Sequence, residues 1–138
     1  MRVFLDANIL FSAAKSDGAI RQLIKLMLED GHAVVVDEFV LHEARRNLGN
    51  KAGAEGLEAL HKLESVFVIG ATRPVLSAEW LQWLPEKDRP VLAAAVALKC
   101  EVLVTGDRKH FGQAYGKSYH GVKVLSAAMA ALSIVGPR

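Results

Sequence analysis

The chain has 138 residues, of which 51% are hydrophobic and 23% charged, a composition that excludes a disordered tail, a collagen-like rod and a coiled coil. Its length suits one compact unit, so we expect residues 1–138 to form a single domain with its own core. The net charge of +2 is small, although residues 105–138 are basic, and it permits a nucleic-acid partner without establishing one.

Short apolar runs and a single cysteine limit the possible cellular locations and cross-links of the protein. The longest wholly apolar run, residues 91–98, is less than half of the roughly 20 residues that a membrane span needs, so we expect no membrane contact. Asp6 and Asn8 interrupt the one stretch that could form a signal-peptide core, which predicts a cytoplasmic protein. Cys100 is the only cysteine, which excludes an intrachain disulfide and a cysteine-rich zinc site.

The first part of the chain predicts alternating strands and helices. Arg2–Leu5 is rich in β-forming residues and predicts a buried strand. From residue 9 to a stop at residues 30–31, apolar positions at helical spacing predict one helix. The apolar run 33–36 predicts a second buried strand, and Asp37 then stands at the N-cap of a helix over about residues 38–48.

The middle of the chain predicts shorter elements. Glycines and asparagines in residues 47–53 predict the end of the second helix. A further short helix is predicted over residues 57–63, followed by a strand over residues 66–69. Residues 77–84 lie between two prolines and predict a short helix whose two tryptophans serve packing.

The last third predicts two more strands and the fold class. An alanine-rich helix starts at residues 88–90 and runs to about residue 99; Val102–Val104 and Val122–Leu125 predict strands, and residues 126–134 predict a last helix. Strands without polar alternation indicate a sheet that is covered on both faces. We therefore predict an α/β fold, a three-layer α/β/α sandwich with a central parallel sheet of four or five strands.

Acidic residues follow several of the predicted strands. Asp6, Asp37 and Asp107 lie at or just beyond strand ends, and Glu43 and Asp88 lie in helices that this topology brings to the same edge. Ligands bind at that edge of an open parallel sheet. Four ionised carboxylates repel one another unless a cation neutralises them, and oxygen ligands without paired histidines favour Mg²⁺ or Mn²⁺ over zinc.

Four segments in this order resemble the motifs of a known family, the PIN domains. The resemblance spans residues 2 to about 125, and the ending Thr-Gly-Asp-x-x-x-Phe is its most specific part. The segments are residues 3–8 (VFLDAN), 40–44 (VLHEA), 87–95 (KDRPVLAAA) and 103–111 (LVTGDRKHF).

The resemblance implies a metal-dependent nuclease that acts mostly on RNA. Many stand-alone PIN domains of this size are similar to VapC-type toxins of toxin–antitoxin pairs, which implies an antitoxin as a protein partner and makes a homodimer an expectation. Asn8 and Thr105 are implied to orient the metal-binding acids or a bound water. Those acids, carried over position by position, are Asp6, Glu43, Asp88 and Asp107.

The reaction implied is hydrolysis of an RNA phosphodiester by in-line attack of a water, which leaves a 5′-phosphate and a 3′-hydroxyl. Because the acids repel the RNA backbone, nearby cations would have to offset them. The candidates, chosen only for their closeness in sequence to Asp88 or Asp107, are Arg89, Arg108, Lys109 and Lys117.

Two positions depart from the family pattern. Asp37 stands where the family commonly shows a small hydroxyl residue, and we predict an N-cap role for it rather than a place in the site. Ser126 opens the last helix, where a proline-containing start is more usual.

Other functions remain open at this stage. A receiver domain needs adjacent acids after the first strand, and a haloacid dehalogenase-like phosphatase needs Asp-x-Asp there, whereas this chain has Asp6-Ala7-Asn8. The alternative from another class is a catalytically inactive PIN-like module that binds RNA or a protein. Retention of all four acids argues against that alternative, because an inactive descendant has no electrostatic reason to keep a repulsive cluster.

Overall fold

Six strands form one sheet in the computed structural model, which describes residues 1–51 and 53–137. They are β1 (Arg2–Leu5), β2 (Ala33–Asp37), β3 (Val68–Gly70), β4 (Val102–Val104), β5 (Ser118–Tyr119) and β6 (Val122–Leu125). The helices of the described residues are α1 (Ala7–Lys15), α2 (Ala19–Glu29), α3 (Glu38–Lys51), α4 (Gly53–Glu64), α5 (Arg89–Ala97), α6 (Arg108–Phe111) and α7 (Ala127–Ser133). Short 3₁₀ turns cover Glu79–Leu81, Glu86–Asp88 and Gly112–Ala114.

The sheet order is β3-β2-β1-β4-β6-β5, and helices flank it. The pairs from β3 to β6 are all parallel, which confirms the predicted α/β class and the central parallel sheet. The predicted strand number was too low, because β5 adds an antiparallel edge to β6. The turn between them, His120 and Gly121, has positive φ at both residues, which suits the tight hairpin that the sequence analysis missed.

The central strands are buried on both faces. Val3, Phe4 and Leu5 of β1 are fully buried, as are Leu103 and Val104 of β4. The register aligns β1 with β2 on one side and with β4 on the other, so β1 sits in the middle of the core. Strand runs without polar alternation therefore predicted the two-sided burial correctly.

The predicted helix over residues 9–30 is in fact two helices, α1 and α2. Ser16 has an extended backbone and ends α1, and Gly18 has an extended backbone and begins α2. The Arg21 guanidinium donates hydrogen bonds to the carbonyl oxygens of Ala13 (2.8 Å) and Ala14 (3.2 Å). These bonds satisfy carbonyl oxygens that the end of α1 leaves without partners inside the helix. The spacing of apolar residues alone does not reveal the break between α1 and α2.

Two further predicted boundaries were wrong. α3 continues to Lys51 rather than ending at Leu48. Leu48 is fully buried, so tertiary packing outweighs the weak helix propensity of Gly49. The predicted helix over residues 77–84 is only the 3₁₀ turn Glu79–Leu81. The two tryptophans of the predicted segment, Trp80 and Trp83, pack against other rings as expected.

The tryptophans tie this irregular segment to the rest of the protein. Trp83 stacks on Tyr119 with ring centroids 5.0 Å apart and meets Phe111 edge to face at 6.1 Å. The indole N–H of Trp83 donates to the Trp80 carbonyl oxygen at 2.7 Å, and Trp80 contacts the His120 ring. Side-chain packing therefore fixes a segment whose backbone has little regular structure.

The alanine-rich helix α5 is a core helix. Its residues 91–95 are all buried, so its apolar surface is used within the fold. No helix in the described part of the chain combines the length and the hydropathy that crossing a bilayer would require.

Candidate active site

A cleft of about 440 Å³ lies at the edge of the sheet where β1 and β4 end. Asp6 directly follows β1, and its backbone N–H donates to the Val104 carbonyl oxygen at 3.0 Å, so the ends of the two parallel strands are joined there. Asp107 follows β4 after the turn Thr105-Gly106. The lining residues are Asp6, Ala7, Asn8, Phe39, Glu43, Arg46, Asn47, Lys87, Asp88, Pro90, Val91 and Asp107.

The Asp6 carboxylate is buried and fixed by three donors. Its Oδ1 accepts from the Ala7 backbone N–H at 2.7 Å, which caps α1. Its Oδ2 accepts from the Thr105 hydroxyl at 2.8 Å and from the Asn8 side-chain amide at 3.3 Å. Only 7% of Asp6 is exposed, and hydrogen bonds of this kind hold a buried carboxylate in one orientation.

Asn8 and Thr105 join the two strand ends. Asn8 accepts a hydrogen bond from the Gly106 backbone N–H at 2.8 Å, and the Thr105 hydroxyl accepts one from the Asp107 backbone N–H at 3.2 Å. A Cβ on Gly106 would lie 3.3 Å from the Asn8 side-chain oxygen, so this close approach favours glycine. Each of the two side chains thus contacts Asp6 and the β4 loop.

Asp88, Asp107 and His110 form a compact group. His110 Nδ1 lies 2.8 Å from Asp107 Oδ2, to which it hydrogen-bonds, and 3.1 Å from Asp88 Oδ2. Asp88 Oδ2 is inaccessible to solvent and has no hydrogen bond with any described residue, although His110 Nδ1 lies within ion-pairing distance of it. Asp88 stands at the N-cap position of α5, but its side chain makes no capping hydrogen bond.

Glu43 reaches the cleft from α3. Both of its carboxylate oxygens accept from Nη2 of Arg46, at 3.0 and 2.9 Å. The four predicted acids therefore line one cleft, although they come from four separate segments. Asp37 does not line it; its carboxylate accepts from the Val40 backbone N–H at 3.1 Å and caps α3, as predicted.

Burial raises the pKa of two of these acids. Loss of hydration raises the pKa of Asp6, and the charges of Asp88 and Asp107 add to that rise, while hydrogen bonds from Thr105 and Ala7 oppose it. Burial also raises the pKa of Asp88; the neighbouring His110 lowers it and Asp107 raises it. Both carboxylates therefore gain from a positive charge placed in the cleft.

The cations of the cleft differ from those singled out in the sequence. Arg89 donates through Nε to the Leu84 carbonyl oxygen at 3.0 Å and anchors a loop. Arg108, Lys109 and Lys117 are exposed and do not line the cleft. The cations that do line it are Arg46 and Lys87.

His110 and Arg46 are the site residues that sequence reasoning missed. Each has a faint signal, because each lies three residues after an acid, His110 after Asp107 and Arg46 after Glu43. That spacing places two side chains on one face of a helical turn.

The donor set fits a hard divalent cation. Carboxylate oxygens are the preferred ligands of Mg²⁺ and Mn²⁺, and the buried Asp88 Oδ2 accepts no hydrogen bond from the described residues. Oxygen or nitrogen atoms of Asp88, Asp107 and His110 all lie within 4.8 Å of one another. One ion could contact all three residues.

Comparison with known protein families identifies the family of this chain. The profile of the PIN domain family matches residues 2–109. The chain belongs to the PIN domain family. A search of curated proteins found no match.

Solved structures share the PIN fold with this chain. VapBC2 from Rickettsia felis, bound to a DNA fragment from its promoter, superimposes with a TM-score of 0.65 at 17% identity over 91% of this chain and 98% of that one. VapBC-1 from nontypeable Haemophilus influenzae gives 0.60 at 15% identity, over 93% and 99%. At these identities the likeness concerns the fold, while membership of the PIN family supports a nuclease in general terms.

Proposed function

We propose that this PIN domain is a metal-dependent endoribonuclease that hydrolyses RNA phosphodiester bonds and acts as the toxin of a toxin–antitoxin pair. One observation carries the catalytic part of the proposal. Four acids from separate segments line a single cleft, and one of their buried oxygens has no hydrogen-bond partner. The proposed metal-binding residues are Asp6, Glu43, Asp88 and Asp107.

The electrostatics of the cleft support a bound cation. Asp6 is almost completely buried, and the pKa values of Asp6 and Asp88 are raised by burial and by neighbouring carboxylates. Such a cluster is costly while all of its members are ionised. A divalent ion offsets that cost, which favours binding of Mg²⁺ or Mn²⁺.

The residues of the cleft divide the chemical work. When bound, Mg²⁺ or Mn²⁺ would supply a water of lowered pKa and stabilise negative charge on phosphoryl oxygens. Asp6 would hold the ion in a fixed place because three donors set its orientation. Asn8 and Thr105 keep Asp6 and the β4 loop in register, so they act as positioning residues. No covalent nucleophile is required.

Two cations in the cleft wall suit a polyanionic substrate. Arg46 uses only Nη2 to hold Glu43, and its other guanidinium nitrogens make no hydrogen bond with the described residues. They are therefore available to a phosphate, as is the exposed ammonium group of Lys87. These contacts would offset the repulsion between the RNA backbone and the acids.

The toxin role rests on the relatives of the fold. Both solved structures described above are VapBC complexes, in which toxin and antitoxin are bound together. We expect growth to stop when this chain is expressed alone. Co-expression of the product of an adjacent short reading frame should restore growth, and failure of both effects would argue against the toxin role.

The nuclease proposal is tested with purified protein and single-stranded RNA. We expect cleavage with Mg²⁺ or Mn²⁺, no cleavage after addition of a chelator, and a loss of at least about 100-fold in Asp6→Asn and Asp107→Asn. Asp17→Asn is the matched control, because the Asp17 side chain is 84% exposed and lies outside the cleft. Full activity in Asp6→Asn, or RNA binding without cleavage by the metal-loaded protein, would overturn the proposal.

A further inference from the structure

We propose that His110 is itself a ligand of the metal ion, so that the site binds through one imidazole nitrogen as well as through carboxylates and prefers Mn²⁺ to Mg²⁺. This inference rests on the proposed metal-dependent function and deepens it. It concerns the class of ion that the site selects.

A short turn fixes the position of the His110 ring. Asp107 caps the four-residue helix α6, and its Oδ1 accepts from the His110 backbone N–H at 3.2 Å while its Oδ2 meets the ring nitrogen at 2.8 Å. The next residue, Phe111, is fully buried and packs edge to face on Trp83. Backbone, carboxylate and core packing thus hold Nδ1 beside Asp88 and Asp107, two of the acids that line the cleft.

The spacing of the donor atoms suits coordination of one ion. His110 Nδ1 lies 2.8 Å from Asp107 Oδ2 and 3.1 Å from Asp88 Oδ2. Adjacent ligands in an octahedral shell with bonds of about 2.1 Å lie about 3 Å apart. Small adjustments of the three side chains, with the imidazole proton on Nε2 and the lone pair on Nδ1, would therefore let the same atoms contact an ion. Their side chains are only 15–23% exposed.

The alternative, in which His110 is only an ion-pair partner, leaves a polar atom unsatisfied. A single proton on Nδ1 can be directed at only one of the two carboxylates, and the shorter contact is the one with Asp107. Asp88 Oδ2 remains buried without a hydrogen bond, which is an uncommon and costly arrangement in a folded protein. An ion shared by the three side chains would satisfy Asp88 and Asp107 together.

A nitrogen ligand changes which ion is preferred. Mg²⁺ takes oxygen ligands and retains its waters, whereas imidazole binds later divalent metals, including Mn²⁺, more readily. His110 should therefore favour Mn²⁺ over Mg²⁺, while a site of carboxylates alone would differ less between the two ions.

Pulsed electron paramagnetic resonance tests the ligand directly on the full chain loaded with Mn²⁺. We expect ¹⁴N modulation from a coordinated imidazole in the wild type and its loss in His110→Asn, whose amide can still donate to Asp107. Titration calorimetry should show Mn²⁺ affinity reduced at least about tenfold and Mg²⁺ affinity changed less than about threefold in that variant. His61→Asn is the control, because the His61 side chain is 88% exposed.

The outcomes separate this inference from the nuclease proposal. Absence of ¹⁴N modulation in the Mn²⁺-loaded wild type overturns the inference without any variant, and so does unchanged Mn²⁺ affinity in His110→Asn. If the wild type still cleaves RNA with added metal in those cases, the nuclease proposal stands. If the wild type binds neither ion, both proposals fail.

Discussion

Thr105 donates its hydroxyl hydrogen to Asp6 Oδ2 at 2.8 Å, although 99 positions separate the two residues in the chain. The same hydroxyl accepts from the Asp107 backbone N–H, and the Thr105 carbonyl accepts from the Tyr115 hydroxyl at 2.8 Å. Thr105 is fully buried. One side chain therefore contacts the carboxylate of Asp6 and the backbone of Asp107.

Thr105→Val should separate this polar role from packing, because valine has nearly the same shape without the hydroxyl. The Asp107 N–H loses its acceptor and Asp6 loses a donor. We expect the free energy of unfolding to fall by about 1–3 kcal/mol and RNA cleavage to fall about 10–100-fold. Thr105→Ser keeps the hydroxyl and should remain within about threefold of wild-type activity; equal rates in the two variants would contradict the proposed positioning role.

Asp88→Asn should stabilise the metal-free protein. The substitution removes a buried charge beside Asp107, and the new amide can donate a hydrogen bond where Asp88 Oδ2 has none. We expect the free energy of unfolding to rise by about 1 kcal/mol at neutral pH, measured by urea denaturation with chelator present. Mn²⁺ should then stabilise the wild type more than the variant, because an ion that binds only the folded state raises its stability.

The stabilisation by Asp88→Asn should depend on pH with a definite sign. The pKa of Asp88 is higher in the folded state than its ordinary value of 3.8, so the folded protein binds the proton more tightly than the unfolded chain does. The free energy of unfolding of the wild type therefore falls, relative to that of the variant, as the pH rises from 3.8 to the folded-state pKa of Asp88. The advantage of the variant should be complete above the folded pKa and vanish near pH 3.8, as urea denaturation at several pH values would show.

Arg46→Gln should weaken RNA binding with little effect on stability. The Arg46–Glu43 pair is largely exposed, with 58% of the arginine side chain accessible, so its loss should cost less than about 1 kcal/mol. If Arg46 contacts a phosphate, the slope of log affinity against log salt should decrease by about 0.7–1. RNA binding measured with Ca²⁺ or without metal would avoid cleavage during the titration.

The neighbouring arginine provides the control for Arg46. Arg45 pairs with Glu38 and Glu64 and does not line the cleft. Arg45→Gln should leave the salt slope unchanged while lowering stability, since Arg45 joins α3 to α4. A reduced slope in both variants would point to a general loss of positive charge rather than a phosphate contact.

Strands and acids could be predicted from the sequence because their signals are local. The runs that form β1, β4 and β6 are short and mostly apolar; Asp6 directly follows β1, and Asp107 follows β4 after Thr105 and Gly106. Parallel topology then brings the ends of neighbouring strands together. The break between α1 and α2 could not be predicted in the same way, because Arg21 stabilises it by reaching back across the turn.

The missed site residues depend on distances that no local pattern encodes. No role in the site was predicted for His110, which folding places between Asp88 and Asp107, two residues that lie 19 positions apart. No role in the site was predicted for Arg46 either, although it binds Glu43 at the cleft. Arg108 and Lys109 were candidates because they follow Asp107 directly in the sequence. Neither of them lines the cleft.

The position of β1 has a consequence during protein synthesis. β1 is made first but lies between β2 and β4, and the backbone N–H of Asp6 is bonded to Val104. After Asp6 has been made, a ribosome must therefore release about a hundred further residues before Asp107 can lie beside it. Pairings between residues this distant in the sequence form late. Under the proposed RNA-cleaving function, a growing chain held next to ribosomal RNA would not cleave that RNA until translation was nearly over.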